Sequence, residues 1–167
     1  MKVAVISDIH DNEVNLTKVL TFCEQQKIEQ IICCGDVASS ETLTQLAKFA
    51  GTIHLVFGNM DLDYHKQATL AKRWSNIILY QGVGEVMLAG KKIAFVHEPI
   101  KIKQYLQETK IKPEIIFHGH THKPWTENIS GVQVVGPGNV ANIWYAPTFA
   151  LFDLQTSQLE LIMINQL

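Results

Sequence analysis

The chain of 167 residues is poor in cysteine and in positive charge, and both shortages exclude classes of protein. Its three cysteines are too few for a disulfide framework, so we interpret Cys23, Cys33 and Cys34 as reduced core residues. Arg73 is the only arginine, and the formal net charge is -2. Because binding along a nucleic acid requires clustered basic residues, the sequence argues against an extended nucleic-acid surface.

Long apolar runs are missing as well. No run approaches the ~18 residues that a membrane-spanning helix needs, which argues against a membrane partner. The chain opens directly on a strand-like segment, Met1–Val3, with no room for a signal peptide, and together with the reduced cysteines this predicts a cytoplasmic protein. Its composition, 47% hydrophobic and 18% charged, is typical of a globular chain, and its length predicts a single domain over residues 1–167.

What the sequence does contain is five short apolar runs that each stop at a cluster of Asp, Asn or His. The clusters are Ser7-Asp8-Ile9-His10, Gly35-Asp36, Gly58-Asn59-Met60-Asp61, His97-Glu98 and His118-Gly119-His120-Thr121-His122. Short apolar runs of this kind are typical of buried strands. Ligands of open α/β sheets gather at the carboxyl ends of the strands, so the sequence predicts a metal site at that edge. Carboxylate, amide and imidazole donors without cysteine suit Mn, Fe, Zn, Ni or Co better than a structural zinc site.

The spacing of apolar residues predicts the order of the elements. Helices are expected over Asn12–Lys27, from Ser39 or Ser40 to Ala50, and over Asp63–Trp74, with Asp11 or Asn12 capping the first and Gly51 closing the second. The second half is predicted to hold mostly short strands, with one helix that starts at Pro99. The predicted strands are Ile77–Tyr80, Glu85–Ala89, Lys92–Val96, Glu114–Phe117, Trp125–Asn128, Val132–Val135, Thr148–Leu154 and Leu159–Ile164. Gly90-Lys91 and Ser130-Gly131 are the predicted turn pairs. So many strands predict an α/β fold of two sheets packed face to face with helices outside.

Taken in order, the polar clusters resemble the motif series of the calcineurin-like metallophosphoesterases. The motifs that carry the resemblance are Asp8-x-His10, Gly35-Asp36, Gly58-Asn59-x-Asp61, His97 and Gly119-His120-x-His122. The small single-domain phosphodiesterases of bacteria and archaea are the most similar group. This resemblance implies two mixed sheets in a four-layer α/β/β/α arrangement, with two divalent ions at the strand ends.

The resemblance also implies a set of metal ligands. One ion would be held by Asp8, His10, Asp36 and His122, and the other by Asp36, Asn59, His97 and His120. Asp36 would bridge the two ions. Manganese is the expected metal, with nickel, iron, zinc, cobalt and magnesium as alternatives. Two ions about 3.5–4 Å apart can ionise a bridging water and clamp a phosphate.

The predicted function is therefore dinuclear, metal-dependent hydrolysis of a small phosphodiester by a metal-bridging hydroxide. Two alternatives stay open: a phosphomonoesterase, and a non-catalytic metal-binding interaction module, as the retromer subunit of this superfamily is thought to be. The complete ligand set favours an enzyme. No catalytic residue is predicted beyond the ligands, although Asp61 and His118 are candidates for groups that support them. A homo-oligomer is a further expectation that the sequence leaves open.

Some positions depart from the family pattern. Met60 stands where many members have a histidine that protonates the leaving oxygen, so a slower reaction with poor leaving groups is expected. Asp11 and Glu98 stand where glycine is usual, and Glu98 brings negative charge towards the phosphate. Trp144-Tyr145 is the best candidate for an exposed aromatic patch.

Overall fold

The computed structural model describes residues 1–167 and shows a chain that alternates strands and helices before it becomes mostly strand. The strands are β1 (Lys2–Ile6), β2 (Gln30–Cys33), β3 (Thr52–Val56), β4 (Ile77–Tyr80), β5 (Val83–Leu88), β6 (Lys91–Val96), β7 (Ile115–His118), β8 (Pro124–Ile129), β9 (Val132–Pro137), β10 (Thr148–Asp153) and β11 (Leu159–Met163). The helices are α1 (Glu13–Gln25), α2 (Ser40–Leu46), α3 (Tyr64–Ala71) and α4 (Lys101–Glu108), and a short 3₁₀ turn covers Ile164–Gln166. None of these helices combines the length and the apolar character needed to cross a membrane.

The strands form two mixed sheets. The first has the order β11-β10-β1-β2-β3-β4. In it β1 to β4 are parallel to one another, β10 pairs antiparallel with β1, and β11 pairs antiparallel with β10. The second has the order β5-β6-β7-β9-β8, with β6, β7 and β9 parallel to one another. The predicted fold class, an α/β fold built on two mixed sheets, is thereby confirmed.

The layers follow from the alternation of side chains along each strand. In β1, Ala4 and Ile6 pack with residues of α1, α2 and α3, whereas Val3 and Val5 pack with Phe95 and Phe117 of the second sheet. The opposite face of the second sheet packs against α4. Successive side chains in a strand point to opposite faces, so a strand that is apolar throughout is buried on both sides. The two sheets therefore lie face to face between two helical layers, as predicted.

Four helix boundaries differ from the prediction by two residues or more, and for one physical reason. The predicted ends at Lys27, Ala50 and Trp74 are wrong, because the α-helices end at Gln25, Leu46 and Ala71. Beyond these residues the backbone continues in tighter i→i−3 hydrogen bonds, such as Phe49 N to Leu46 O at 3.1 Å. Likewise, α4 begins after a turn in which the N–H of Lys101 donates to the carbonyl of Glu98, so Pro99 precedes the helix. Apolar spacing does not distinguish such turns from α-helix.

Gly51 does not close α2. A Cβ built at Gly51 would lie 2.2 Å from the carbonyl oxygen of Glu29, so glycine is needed there because two backbone segments approach closely.

The first hairpin turn is also shifted by one residue from the prediction. Leu88 pairs with Lys91, which leaves Ala89 and Gly90 as the turn pair, with φ of 49° and 81°. The cap of α1 is Asn12, whose side chain accepts a hydrogen bond from the Asn15 N–H.

Candidate metal centre

The polar residues that follow five strands come together at one place in the fold. They follow β1, β2, β3, β6 and β7, and include all seven residues predicted as metal ligands. These are Asp8, His10, Asp36, Asn59, His97, His120 and His122. No side-chain hydrogen bond links His118 to any of the seven, and it shares a face of β7 with Ile116, which packs in the cluster beside α4.

One group of donor atoms surrounds Asp8. The Oδ1 atom of Asp8 lies 3.3 Å from Nε2 of His122 and 3.8 Å from Nε2 of His10. The two imidazole Nε2 atoms are 3.1 Å apart. Ligand atoms of these three residues all lie within 4.8 Å of one another, so one divalent ion could contact all of them.

A second group of donor atoms surrounds Asn59. Its Oδ1 lies 2.9 Å from Nε2 of His97 and 2.9 Å from Nδ1 of His120. Asp36 lies between the two groups, because its Oδ2 is 3.3 Å from Nε2 of His97 and 3.6 Å from Nε2 of His10. A single carboxylate oxygen is therefore close to both sets of donors.

The charges of the centre also fit a divalent cation. Asp8 is 0% exposed and Asp36 is 2% exposed, and buried carboxylates require a compensating positive charge. Burial alone would raise the pKa of Asp36, but the hydrogen bond to His97 and its charge lower it overall. Burial would lower the pKa of His97, but Asp36 raises it overall, and the hydrogen bond to Asp8 raises the pKa of His122. The carboxylates and imidazoles thus stabilise each other's charged forms, and a divalent cation can supply the same compensation to the carboxylates.

The backbone turns sharply at the candidate ligands. Five of them have φ between 43° and 69°, a left-handed conformation that is unfavourable for residues with a side chain: Asp8, His10, Asp36, His120 and His122. Such residues cost of order 1–3 kcal/mol each and are concentrated at functional sites. Two glycines also allow side chains of the centre to lie close to the backbone. A Cβ at Gly58 would lie 2.1 Å from Oδ1 of Asp36, and one at Gly119 would lie 2.0 Å from Oγ of Ser7.

Comparison with known proteins agrees with this geometry. The family model of the calcineurin-like phosphoesterase superfamily domain matches residues 1–157. The chain belongs to this superfamily. The resemblance expected from the sequence motifs is thus confirmed, and the candidate ligand groups fit a family that binds divalent metals.

Three relatives illustrate the similarity. Phosphodiesterase MJ0936 of Methanocaldococcus jannaschii is 24% identical, with 99% of this chain and 100% of the relative covered. A solved structure described as a novel archaeal phosphodiesterase superposes with a TM-score of 0.87 at 22% identity, covering 98% of this chain and 99% of that one. The Vps29 protein of Entamoeba histolytica, solved with zinc, superposes with a TM-score of 0.65 at 19% identity, covering 99% of this chain and all of the other. At these identities the structures share the fold.

Asp61 holds the loops that carry the superfamily motifs. It is only 4% exposed, and its carboxylate accepts hydrogen bonds from the backbone N–H groups of Gly58, Asp36 and Ala38 at 2.7, 3.0 and 2.8 Å. It therefore ties the loop after β3 to the loop after β2.

The His97 ring is held in a similar way. Its Nδ1 pairs with the carbonyl oxygen of Cys34 at 2.8 Å, which leaves Nε2 directed towards Asp36 and Asn59.

The departures from the superfamily pattern have distinct surroundings. Asp11 accepts hydrogen bonds from Ser39 N at 3.0 Å and Thr42 Oγ1 at 2.6 Å, and so ties the first loop to the start of α2. Glu98 forms an ion pair of 3.0 Å with Lys101, which lowers the pKa of the Glu98 carboxyl. The side chain of Met60 is exposed, but its backbone N–H donates to Oδ1 of Asp36 at 2.8 Å.

Sequence reasoning missed one residue of the centre. Asn139 is 0% exposed, and its Nδ2 donates to the carbonyl oxygens of His122 at 3.1 Å and Tyr145 at 3.3 Å. Its Oδ1 accepts from the Ile143 N–H at 2.9 Å. The signal for it in the sequence was the segment Gly136-Pro137-Gly138-Asn139, in which Asn139 follows Gly138 at the end of a strand-like run.

Proposed function

We propose that this protein is a dinuclear metal-dependent phosphodiesterase that acts on a small phosphodiester. The position of Asp36 supports this most strongly, because one buried carboxylate oxygen faces donors of both groups. Asp8, His10, Asp36 and His122 would hold one ion, and Asp36, Asn59, His97 and His120 would hold the other. When bound, two divalent ions supply a nucleophile at neutral pH and neutralise phosphate oxygens.

The exposure of the ligands defines where a substrate enters. Asp8, Asp36 and His97 form a buried floor, whereas Asn59 and His120 are exposed. A phosphate group would therefore approach from the side of Asn59 and His120. The Asp61 carboxylate and the Cys34 carbonyl hold the floor in position before substrate binds, and this preorganisation lowers the cost of reaching the transition state.

The charge around the centre favours a diester over a monoester. No lysine or arginine side chain forms an ion pair or a hydrogen bond with any of the seven candidate ligands. A phosphomonoester carries up to two negative charges at neutral pH and a phosphodiester carries one, so the diester needs less compensation from side chains. Met60 has no proton to donate to the leaving oxygen, so this residue favours esters with good leaving groups.

The experiment measures metal content and hydrolysis together. Protein purified with manganese should contain two ions per chain and should hydrolyse bis(4-nitrophenyl) phosphate faster than 4-nitrophenyl phosphate. Less than one ion per chain at saturation would contradict the dinuclear site. Faster hydrolysis of the monoester would instead support the phosphomonoesterase alternative.

A second candidate is a metal-binding interaction module without catalytic activity. The similarity to a zinc-bound Vps29 structure supports it, since that protein shares the fold at nearly full coverage. Full metal occupancy without turnover of any mono- or diester in a broad screen would favour this candidate. Turnover that Asp36→Asn abolishes would exclude it.

A further inference from the structure

A large exposed aromatic side chain lies beside the candidate metal centre. Trp144 is 82% exposed, and its ring centroid lies 4.8 Å from that of His122, with 38° between the ring planes. The indole thus covers one side of a candidate metal ligand while most of its surface stays open to solvent. An indole buries a large apolar area when it is packed in a core, and here that area contributes little to folding.

The backbone holds Trp144 in an unfavourable conformation. Its φ is 61°, a left-handed value that is rare for a bulky aromatic residue. The surrounding loop is fixed to the centre, because the N–H groups of Val140 and Ala141 donate to the carbonyl oxygens of Ser7 and Asp8, each at 3.0 Å. Strain of this kind persists where the rest of the structure enforces it, and it is concentrated at ligand sites.

Asn139 completes this fixation from inside the loop. It donates to His122 O and Tyr145 O and accepts from Ile143 N, so it connects the segment before Trp144 with the residue after it. One buried amide therefore fixes the His122 backbone together with the backbone on both sides of Trp144. The backbone that carries the indole is held before any ligand binds, and the ring already lies against His122, which lowers the entropy cost of stacking on it.

We propose that Trp144 forms a stacking subsite for a planar aromatic group on the ester that hydrolysis retains, not on the leaving group. This inference rests on the proposed phosphodiesterase function and adds the class of substrate. A phosphate at the centre would lie near His122, so an aromatic ester group on that phosphate would lie within reach of the indole. A nucleobase and a simple aryl ring share this chemistry, because both offer a π-face.

Kinetics with a constant leaving group provide the first test. The substrates are methyl, phenyl and thymidine 5′-esters of 4-nitrophenyl phosphate, which all release 4-nitrophenolate and differ only in the retained group. Removing an aromatic platform weakens binding of a stacked base by about fivefold or more. Trp144→Ala should therefore raise KM at least about fivefold for the aromatic esters, change kcat little and affect the methyl ester much less. Trp144→Phe should restore most of the aromatic preference.

Trp125 offers a matched control. It is also an exposed tryptophan, at 51%, but its ring packs against Nζ of Lys123 at 4.0 Å and forms no ring pair with a candidate ligand. Trp125→Ala should leave the KM ratio between aromatic and methyl esters unchanged. An equal rise in KM for all three esters in Trp144→Ala would overturn the proposal and would mean that the indole only positions His122. A preference for the thymidine ester over the phenyl ester that Trp144→Ala removes would identify the nucleobase as the stacked group.

Binding without turnover provides the second test. Calorimetric titrations would compare adenosine 5′-monophosphate with ribose 5-phosphate, which lacks the base, on wild type and on both tryptophan variants. Wild type should bind the nucleotide more tightly than the sugar phosphate, and Trp144→Ala alone should remove that difference. Equal binding of both probes by an enzyme that hydrolyses diesters would overturn the stacking subsite and leave the proposed function intact. If Trp144→Ala loses the preference for the base but no ester is hydrolysed, the stacking subsite would stand and the proposed phosphodiesterase function would be contradicted.

Discussion

Replacing Asp61 with asparagine tests how the site is held in place. The substitution conserves the shape of the side chain and removes its charge. In the structure, Oδ2 accepts from Gly58 and Asp36, and Oδ1 accepts from Ala38. An asparagine can keep its oxygen towards Gly58 and Asp36, but its amide NH₂ then faces the N–H of Ala38. One hydrogen bond is lost and a buried donor is left without a partner.

The magnitude follows from that geometry. A hydrogen bond to a charged group contributes about 1.5–3 kcal/mol, and a buried unsatisfied donor costs a comparable amount. The two remaining bonds also weaken, because a neutral amide is a poorer acceptor than a carboxylate. Burial raises the pKa of Asp61, so removing its charge offsets part of this loss, and we expect the free energy of unfolding of the metal-free protein to fall by about 1–3 kcal/mol. Because Asp61 orients the loops of Asp36 and Asn59, metal affinity should fall by about 10–100-fold.

The assay is urea denaturation in the presence of a chelator, followed by metal titration of the folded variant. Asp63→Asn is the matched control, since it makes the same chemical change two residues away. The Asp63 side chain is 73% exposed, and its contact is an ion pair of 3.9 Å with Lys66. That control should change stability by less than about 0.5 kcal/mol. An Asp61→Asn variant no less stable than the control would refute this account of the site.

Three further predictions concern metal binding, leaving groups and pH. Asp36→Asn should reduce metal content and activity more than substitution of any other candidate ligand, because both ions lose their shared charge, and mass spectrometry showing two retained ions would contradict this. Met60→His should raise kcat/KM for alkyl esters, by up to about 10²-fold, and change it little for nitrophenyl esters. The measurement is kcat/KM over esters that differ only in the leaving alcohol, and a slope that is already shallow in wild type would mean that another residue is the acid. Burial lowers the pKa of His54 in the folded state, so the unfolded chain binds more protons in mild acid and stability should fall as pH drops below about 6.5. Denaturation at pH values from about 7.5 to 5.5 should show a smaller loss of stability in His54→Gln than in wild type. One titrating group contributes a slope of at most about 1.4 kcal/mol per pH unit, and equal slopes in the two proteins would exclude His54 as a cause.

The local sequence was sufficient to predict the strands, because their signal lies within a few neighbouring residues. An apolar run that is buried on both faces, followed by a polar turn, marks the end of a parallel strand without reference to the rest of the chain. The ends of strands β1, β2, β3, β6 and β7 were found in this way to within one residue, and parallel strands bring their carboxyl ends to one edge. The helix ends at Leu46 and Ala71 were not found, since tight turns and α-helix have similar apolar spacing.

The supporting contacts were decided by the tertiary structure alone. Asp11 bonds to Thr42 across 31 positions, and Asn139 bonds to His122 across 17. Neither partner can be recognised from its neighbours in sequence, because polar residues at turns usually serve local caps. The need for glycine at Gly51 likewise depends on the carbonyl of Glu29.

The sequence by itself therefore determined the α/β class, the superfamily and the residues that the structure gathers at the candidate metal centre, because these depend on residue type, order and strand periodicity. The tertiary structure decided which oxygen of Asp36 faces both donor groups, that Asp61 holds three backbone N–H groups and that the exposed Trp144 lies beside His122. These features depend on distances and directions between segments far apart in the chain. Such distances are fixed only when the two sheets pack together and the loops at their ends are bound to one another.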